Sequence, residues 1–134
     1  MSALGTAALV AASVAATTSS GSAAQPRAVD VCELRIVSVE ALDLQEDAQG
    51  HDEIFLRLGD FRSPTRRYTE GQKRNVSADD VFVGSEPVRL VEQDGGTDDV
   101  LASESIPCVQ RLNQTSILGN ADAIYKLTWQ VRVL

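Results

Sequence analysis

Two acidic stretches hold most of the side chains that could do chemistry. The first contains Glu46, Asp47, Gly50, His51, Asp52 and Glu53 and runs into the apolar residues 54–58. The second contains Glu92, Asp94, Gly95, Gly96, Asp98 and Asp99 and runs into Val100 and Leu101. Each sets several carboxylates on a glycine-containing turn between two predicted strands. Carboxylates crowded on a tight turn repel one another unless water or a cation screens them. Calcium takes about six to eight oxygen ligands, commonly from such loops. The two turns therefore point to a calcium site, or the remnant of one, at one end of a β-structure. The competing reading is solvated loop carboxylates, or aspartates bonding their own backbone in turns.

The elements that must carry these turns read as strands. Residues 32–36 alternate apolar and charged, and the β-branched Val37 and Val39 continue the run. Residues 54–58, 87–91 and 100–106 are further strand candidates. The last segment is the clearest: Tyr125, Leu127, Trp129, Val131 and Val133 fall on one face, and Lys126, Thr128, Gln130 and Arg132 on the other. That period of two marks a strand with one buried face. No stretch holds a helical period over three turns. Residues 60–80 read as a long polar loop with one short strand around Arg67–Thr69, and 110–122 as a second loop marked by Asn113, Gly119 and Asn120. Short strands separated by polar turns predict an all-β antiparallel sandwich.

The chain has 134 residues, which predicts one domain. Its first 24 residues carry no charge, and the apolar run 4–16 is too short to span a bilayer. It fits the apolar region of a secretory signal, with small residues at 22–24 for cleavage. No Lys or Arg precedes that run, as in a signal whose basic start is truncated. The expected organisation is a signal peptide at 1–24, a flexible arm at 25–31 and a sandwich domain at 32–134. The expected location is extracellular.

The net charge is −7, with ten arginines and two lysines. Phosphate contacts need clustered cations, so the balance argues against nucleic-acid binding. It also argues against anionic lipid surfaces, and nothing suggests membrane insertion. Against this background Arg62, Arg66, Arg67, Lys73 and Arg74 form a local basic cluster. It is either a solvated loop or a docking patch for an acidic partner, with Arg62, Arg66 and Arg67 as its anchors.

The two cysteines, Cys32 and Cys108, form a lone pair in a chain read as exported, which predicts a disulfide. The loop it closes is worth roughly 4 kcal/mol in the chain-entropy model. The spacing excludes a local redox pair. A zinc site would need further ligands, and His51 is the one histidine.

Placed in this order, the segments resemble C2 domains, the calcium-binding β-sandwiches. The first strand and acidic loop correspond to residues 34–41 and 47–56, and the later loop to 90–102. The resemblance covers roughly residues 32–106. Glu53 stands where that family has proline, Gln93 where an acidic residue is expected and Ala102 where it has glycine. Carried over position by position, the resemblance implies Asp47, Asp52, Asp94 and Asp99 as calcium ligands, then Glu53 and Asp98. No cofactor is required by any other feature.

A second resemblance is to small exported actinobacterial proteins. These share a Gly-x-Asp-Glu step, here Gly50–Glu53, and an acidic turn, here Glu92–Asp99. Size, export signal and cysteine pair are also similar to the adaptor subunit of Streptomyces umbrella toxin particles. That resemblance implies a non-catalytic protein joining a lectin-bearing subunit to a large toxin subunit. It implies Gln25, Pro26, Arg27, Ala28, Val29, Asp30 and Val31 as an arm inserting into a partner's cleft.

Catalysis is not expected. His51 sits beside Asp52 in an exposed acidic turn, with no nucleophile signalled to complete a triad. Paired carboxylates can hydrolyse glycosides, but the six aromatic residues are too few to line a sugar cleft, and Trp129 lies on the core face of its strand. The expected function is a secreted, non-enzymatic interaction module, with a toxin-particle adaptor as its specific form. The alternatives are a calcium-dependent surface- or lipid-binding C2-like module, and an exported enzyme inhibitor using residues 60–80 as its reactive loop.

Overall fold

The computed structural model describes residues 27–44 and 50–134. The signal at 1–24, Gln25, Pro26 and Asp47 lie outside the described residues. Nine strands are described: β1 (Val31–Asp43), β2 (Asp52–Leu58), β3 (Phe61–Arg62), β4 (Arg66–Tyr68), β5 (Lys73–Val83), β6 (Ser85–Asp94), β7 (Thr97–Pro107), β8 (Arg111–Gly119) and β9 (Ile124–Val133). None of the described residues is helical.

The strands form two antiparallel sheets. The first has the order β5-β1-β9-β8; the second has the order β3-β2-β6-β7, with β4 also paired to β2. Each strand turns alternate side chains inward, as a sheet with one wet face requires. Leu34 and Ile36 on β1 meet Ile54, Leu56 and Leu58 on β2, Val88 and Leu90 on β6, and Tyr125, Leu127 and Val131 on β9 in one core. Trp129 belongs to that core, and its indole N–H donates to Ser116 Oγ at 2.9 Å. β9 thus confirms the alternation read in the sequence, except that Val133, at the strand end, is exposed.

Two loop expectations are corrected. Residues 60–80 contain β3, β4 and most of β5, and 110–122 contain β8. Both long strands lie at the edge of the first sheet. An edge strand need not be uniformly apolar on its inner face. Arg74 and Asp80 share the inner side of β5 with Val76, Ala78 and Phe82, and Gln114 and Ser116 share that of β8 with Leu118. This dilution hid the period of two.

Candidate functional site

The described end of the first acidic stretch, Gly50–Glu53, and the second acidic turn come to the same end of the second sheet. In the β2–β6 ladder Ile54 lies opposite Glu92, so the start of β2 and the turn after β6 are neighbours. The second turn is a tight hairpin, Asp94 facing Thr97, with the Gly96 amide bonded back to the Asp94 carbonyl. Gly96 has φ near 150°, where a side chain is strained.

This hairpin sorts the candidate ligands between two faces. Glu92 lies opposite Asp99, and Gln93 opposite Asp98, so Asp98 and Asp99 project to opposite sides. Asp94 and Asp99 share the inward side with Asp52 and Glu92. Glu53 and Asp98 are on the outer side, where Glu53 pairs with Arg67 at 3.3 Å. Asp52 and Glu92 are only 1% and 4% exposed. Asp52 Oδ2 accepts a 2.6 Å hydrogen bond from the Tyr125 hydroxyl. Burial, followed by that bond and the nearby charges of Asp52 and Glu92, drives the Tyr125 phenol far above its ordinary range. Tyr68 packs edge-on against Tyr125, with ring centres 6.0 Å apart. Among the described residues, no group of three or more His, Cys, Asp or Glu side chains is placed to hold a metal ion.

The outer face of the same sheet has a different character. Arg57 on β2 lies directly opposite Arg62 on β3 and Arg89 on β6, giving three exposed arginines in one row. Among the described residues none of the three is in an ion pair. Like charges directly opposite across strands are destabilising, so the row works against the sheet that displays it. Below it Phe55 and Val91, paired across β2 and β6, are buried on this outer face. Arg62 covers Phe55, its guanidinium carbon 3.9 Å from the ring centre, and donates to Gln93 Oε1 at 3.3 Å. Arg57 stands 5.8 Å from the same ring.

Of the arginines singled out in the sequence, only Arg62 belongs to this row. Arg67 is tied to Glu53, and Arg66, opposite Ile54, faces the gap between the sheets. Arg57 and Arg89 were the missed members. Their signal was present in the alternation of residues 54–58 and 87–91, where each is the outward charge in an apolar run.

A third carboxylate group lies at the other end of the sandwich. Glu86, 5% exposed, sits against Asp80 and Asp60. Gly59 makes this possible: a Cβ there would lie 2.7 Å from Glu86 Oε1 and 3.1 Å from Asp80 Oδ2. Burial first, then the charge of Asp80 and its hydrogen bond, then the charge of Asp60, raise the Glu86 carboxyl above its usual range.

Cys32 and Cys108 are disulfide-bonded, tying β1 to the end of β7. Of the expected arm, Arg27–Asp30 are exposed and Val31 already pairs with Val83 as the first residue of β1. No described helix is long and apolar enough to cross a membrane.

No protein-family model matches the chain, and no curated protein matches it. Solved structures do. The chain is similar to the two C2 domains of Extended-Synaptotagmin 2 (TM-score 0.56, 16% identity), matched over 98% of this chain and 48% of that one. A calcium-bound structure of the same two domains matches at TM-score 0.55 and 16% identity, over 78% of this chain and 45% of the other. A structure described only as a C2 domain matches at TM-score 0.51 and 10% identity, over 78% and 99%. The chain thus spans about half the length of the first two structures. The described residues form an all-β sandwich with the C2-like fold, stapled by one disulfide.

Proposed function

We propose that the chain is an exported, non-enzymatic interaction module that docks an acidic surface of a partner protein through Arg57, Arg62 and Arg89. The observation that carries this reading is the row itself. Three arginines stand in register on an acidic chain, at a cost to the sheet and without an ion pair among the described residues. A partner's carboxylates would remove that repulsion on binding. Arginine is the cation most enriched at interface hot spots, because its planar fork can take a carboxylate bidentately. The disulfide is consistent with an extracellular location.

The specific form we favour is an adaptor in a multi-protein toxin particle, joining a lectin-like subunit to a large toxin subunit. The arm 25–31 would serve one partner and the arginine face the other. Affinity purification of the tagged protein from native culture supernatant, followed by mass spectrometry, tests this. Large secreted partners should co-elute in constant ratio, and one of them should be lost from Arg57→Glu/Arg89→Glu. A lone monomer would overturn it.

A second reading is calcium-dependent surface binding at the acidic end, favoured by Asp52, Asp94 and Asp99 sharing one side of their sheet. A rise in melting temperature with added Ca²⁺, lost in Asp94→Asn, would support it; no rise would remove it. The inhibitor reading loses its reactive loop, because residues 60–80 are largely strand.

A further inference from the structure

The sandwich is open along the side where β4 and β5 face each other. β5 pairs with β1 alone and is the edge of its sheet; β4 pairs with β2 alone. Between them lies a pocket of about 150 Å³, whose walls include Val39, Ile54, Tyr68 and Val76, with Ser63 and Arg66 among its polar lining. Cavities of about this volume accept a benzene-sized group. The walls are held from behind. Ser63 Oγ accepts from the Leu56 amide at 2.8 Å, and Ile54 and Tyr68 are core residues.

The charge around this pocket is one-sided. Arg66 has no ion-pair partner among the described residues, and Arg74 lies 5.8 Å from the Tyr68 ring centre with its Nε donating to the Arg67 carbonyl. The neighbouring β5 residues, Asn75, Val76 and Ser77, carry no acid, whereas the far half of the strand carries Asp79 and Asp80. The exposed edge of β5 is thus cationic at the pocket and anionic away from it.

We infer that this pocket is a socket for one bulky apolar side chain of an extended acidic segment from a partner protein. The segment would lie along the free edge of β5, adding backbone hydrogen bonds as a strand. A leucine- or phenylalanine-sized side chain would fill the pocket, and a carboxylate two residues along, on the same face of the strand, would meet Arg66. This rests on the reading of the chain as an interaction module and adds a site distinct from the arginine row, which lies on the outer face.

The test uses the full chain, isotope-labelled, titrated by NMR with an acetylated, amidated pentapeptide in which a central leucine is followed two residues later by aspartate. Two control peptides carry glycine for the leucine, or lysine for the aspartate. The leucine–aspartate peptide should give saturable shifts at the Ser63, Tyr68 and Val76 amides. Arg66→Glu should weaken it about tenfold, the equivalent of ~1.4 kcal/mol. Both controls should bind at least several-fold more weakly. Val76→Trp, which fills the pocket, should abolish the shifts; Arg66→Glu, at the surface, keeps the test valid if that variant fails to fold. Absence of saturable shifts, equal response to all three peptides, or shifts confined to Arg57 and Arg89 would overturn the inference. Arg57→Glu/Arg89→Glu should leave peptide binding intact, so failure of the socket and failure of the arginine face are separable.

Discussion

The hydroxyl of Tyr125 donates to the carboxylate of Asp52 at 2.6 Å, across 73 residues of chain and between the two sheets. A residue that the sequence places in an acidic turn is therefore a buried strut. Tyr125→Phe keeps the shape of the ring but deprives Asp52 of that donor. Losing one hydrogen bond to a charged, buried carboxylate costs about 1.5–3 kcal/mol. Urea denaturation should show this loss with little change in slope; an unchanged midpoint would mean the bond contributes nothing net.

Arg62 shields Phe55 from water on the outer face. Arg62→Ala should destabilise the domain by about 0.5–1 kcal/mol for the lost cation–π contact, plus whatever the exposed ring loses. Arg89→Ala, which relieves repulsion and uncovers no ring, should be neutral or slightly stabilising. Equal losses at both positions would show that the row is structural.

Association through the arginine row should weaken with salt. Exposed charges are screened over about 8 Å at physiological ionic strength. The rate of partner association should fall as salt rises, and the fall should flatten in Arg57→Gln/Arg89→Gln. A salt-independent rate would assign the contact to apolar surface instead.

Glu86 predicts a pH dependence. Its carboxyl is raised above the ordinary value of 4.5 by burial and by Asp80 and Asp60. The folded state therefore holds the proton more tightly than the unfolded one, and stability falls as pH rises from 4.5 through the raised value. Glu86→Gln should remove that fall and be more stable than the parent at neutral pH. Thermal melts between acid and neutral pH measure it. A parallel fall in both proteins would place the effect elsewhere.

Reduction of Cys32–Cys108 should cost roughly 4 kcal/mol by the loop-entropy argument. Calorimetry with and without reductant measures it. A shift near zero would mean that residual structure in the reduced unfolded chain already restrains the same ends.

How far the sequence reaches differs by element. The core face of β9 was legible because every second residue from Tyr125 to Val131 is large and apolar, and only a half-buried strand needs that pattern. The disulfide followed from two cysteines and an export reading. The antiparallel sandwich followed from short strands separated by polar turns, and its C2-like form from the resemblance carried by the two acidic turns. β5 and β8 were not legible, since at a sheet edge polar residues such as Arg74, Asp80 and Gln114 can share the inner side, so the alternation loses contrast.

What the sequence by itself determined was the class of fold and the residues available at each turn and strand. Only the tertiary structure decided which of them face one another. Register depends on pairing between distant segments: β2 against β6 sets Arg57 beside Arg89, and the β6–β7 hairpin sends Asp98 and Asp99 to opposite faces. A shift of one residue would have reversed each assignment, because side chains alternate with period two. The acidic turns were visible in the chain, but the burial of Asp52 and the arginine row arise only when the sheets close.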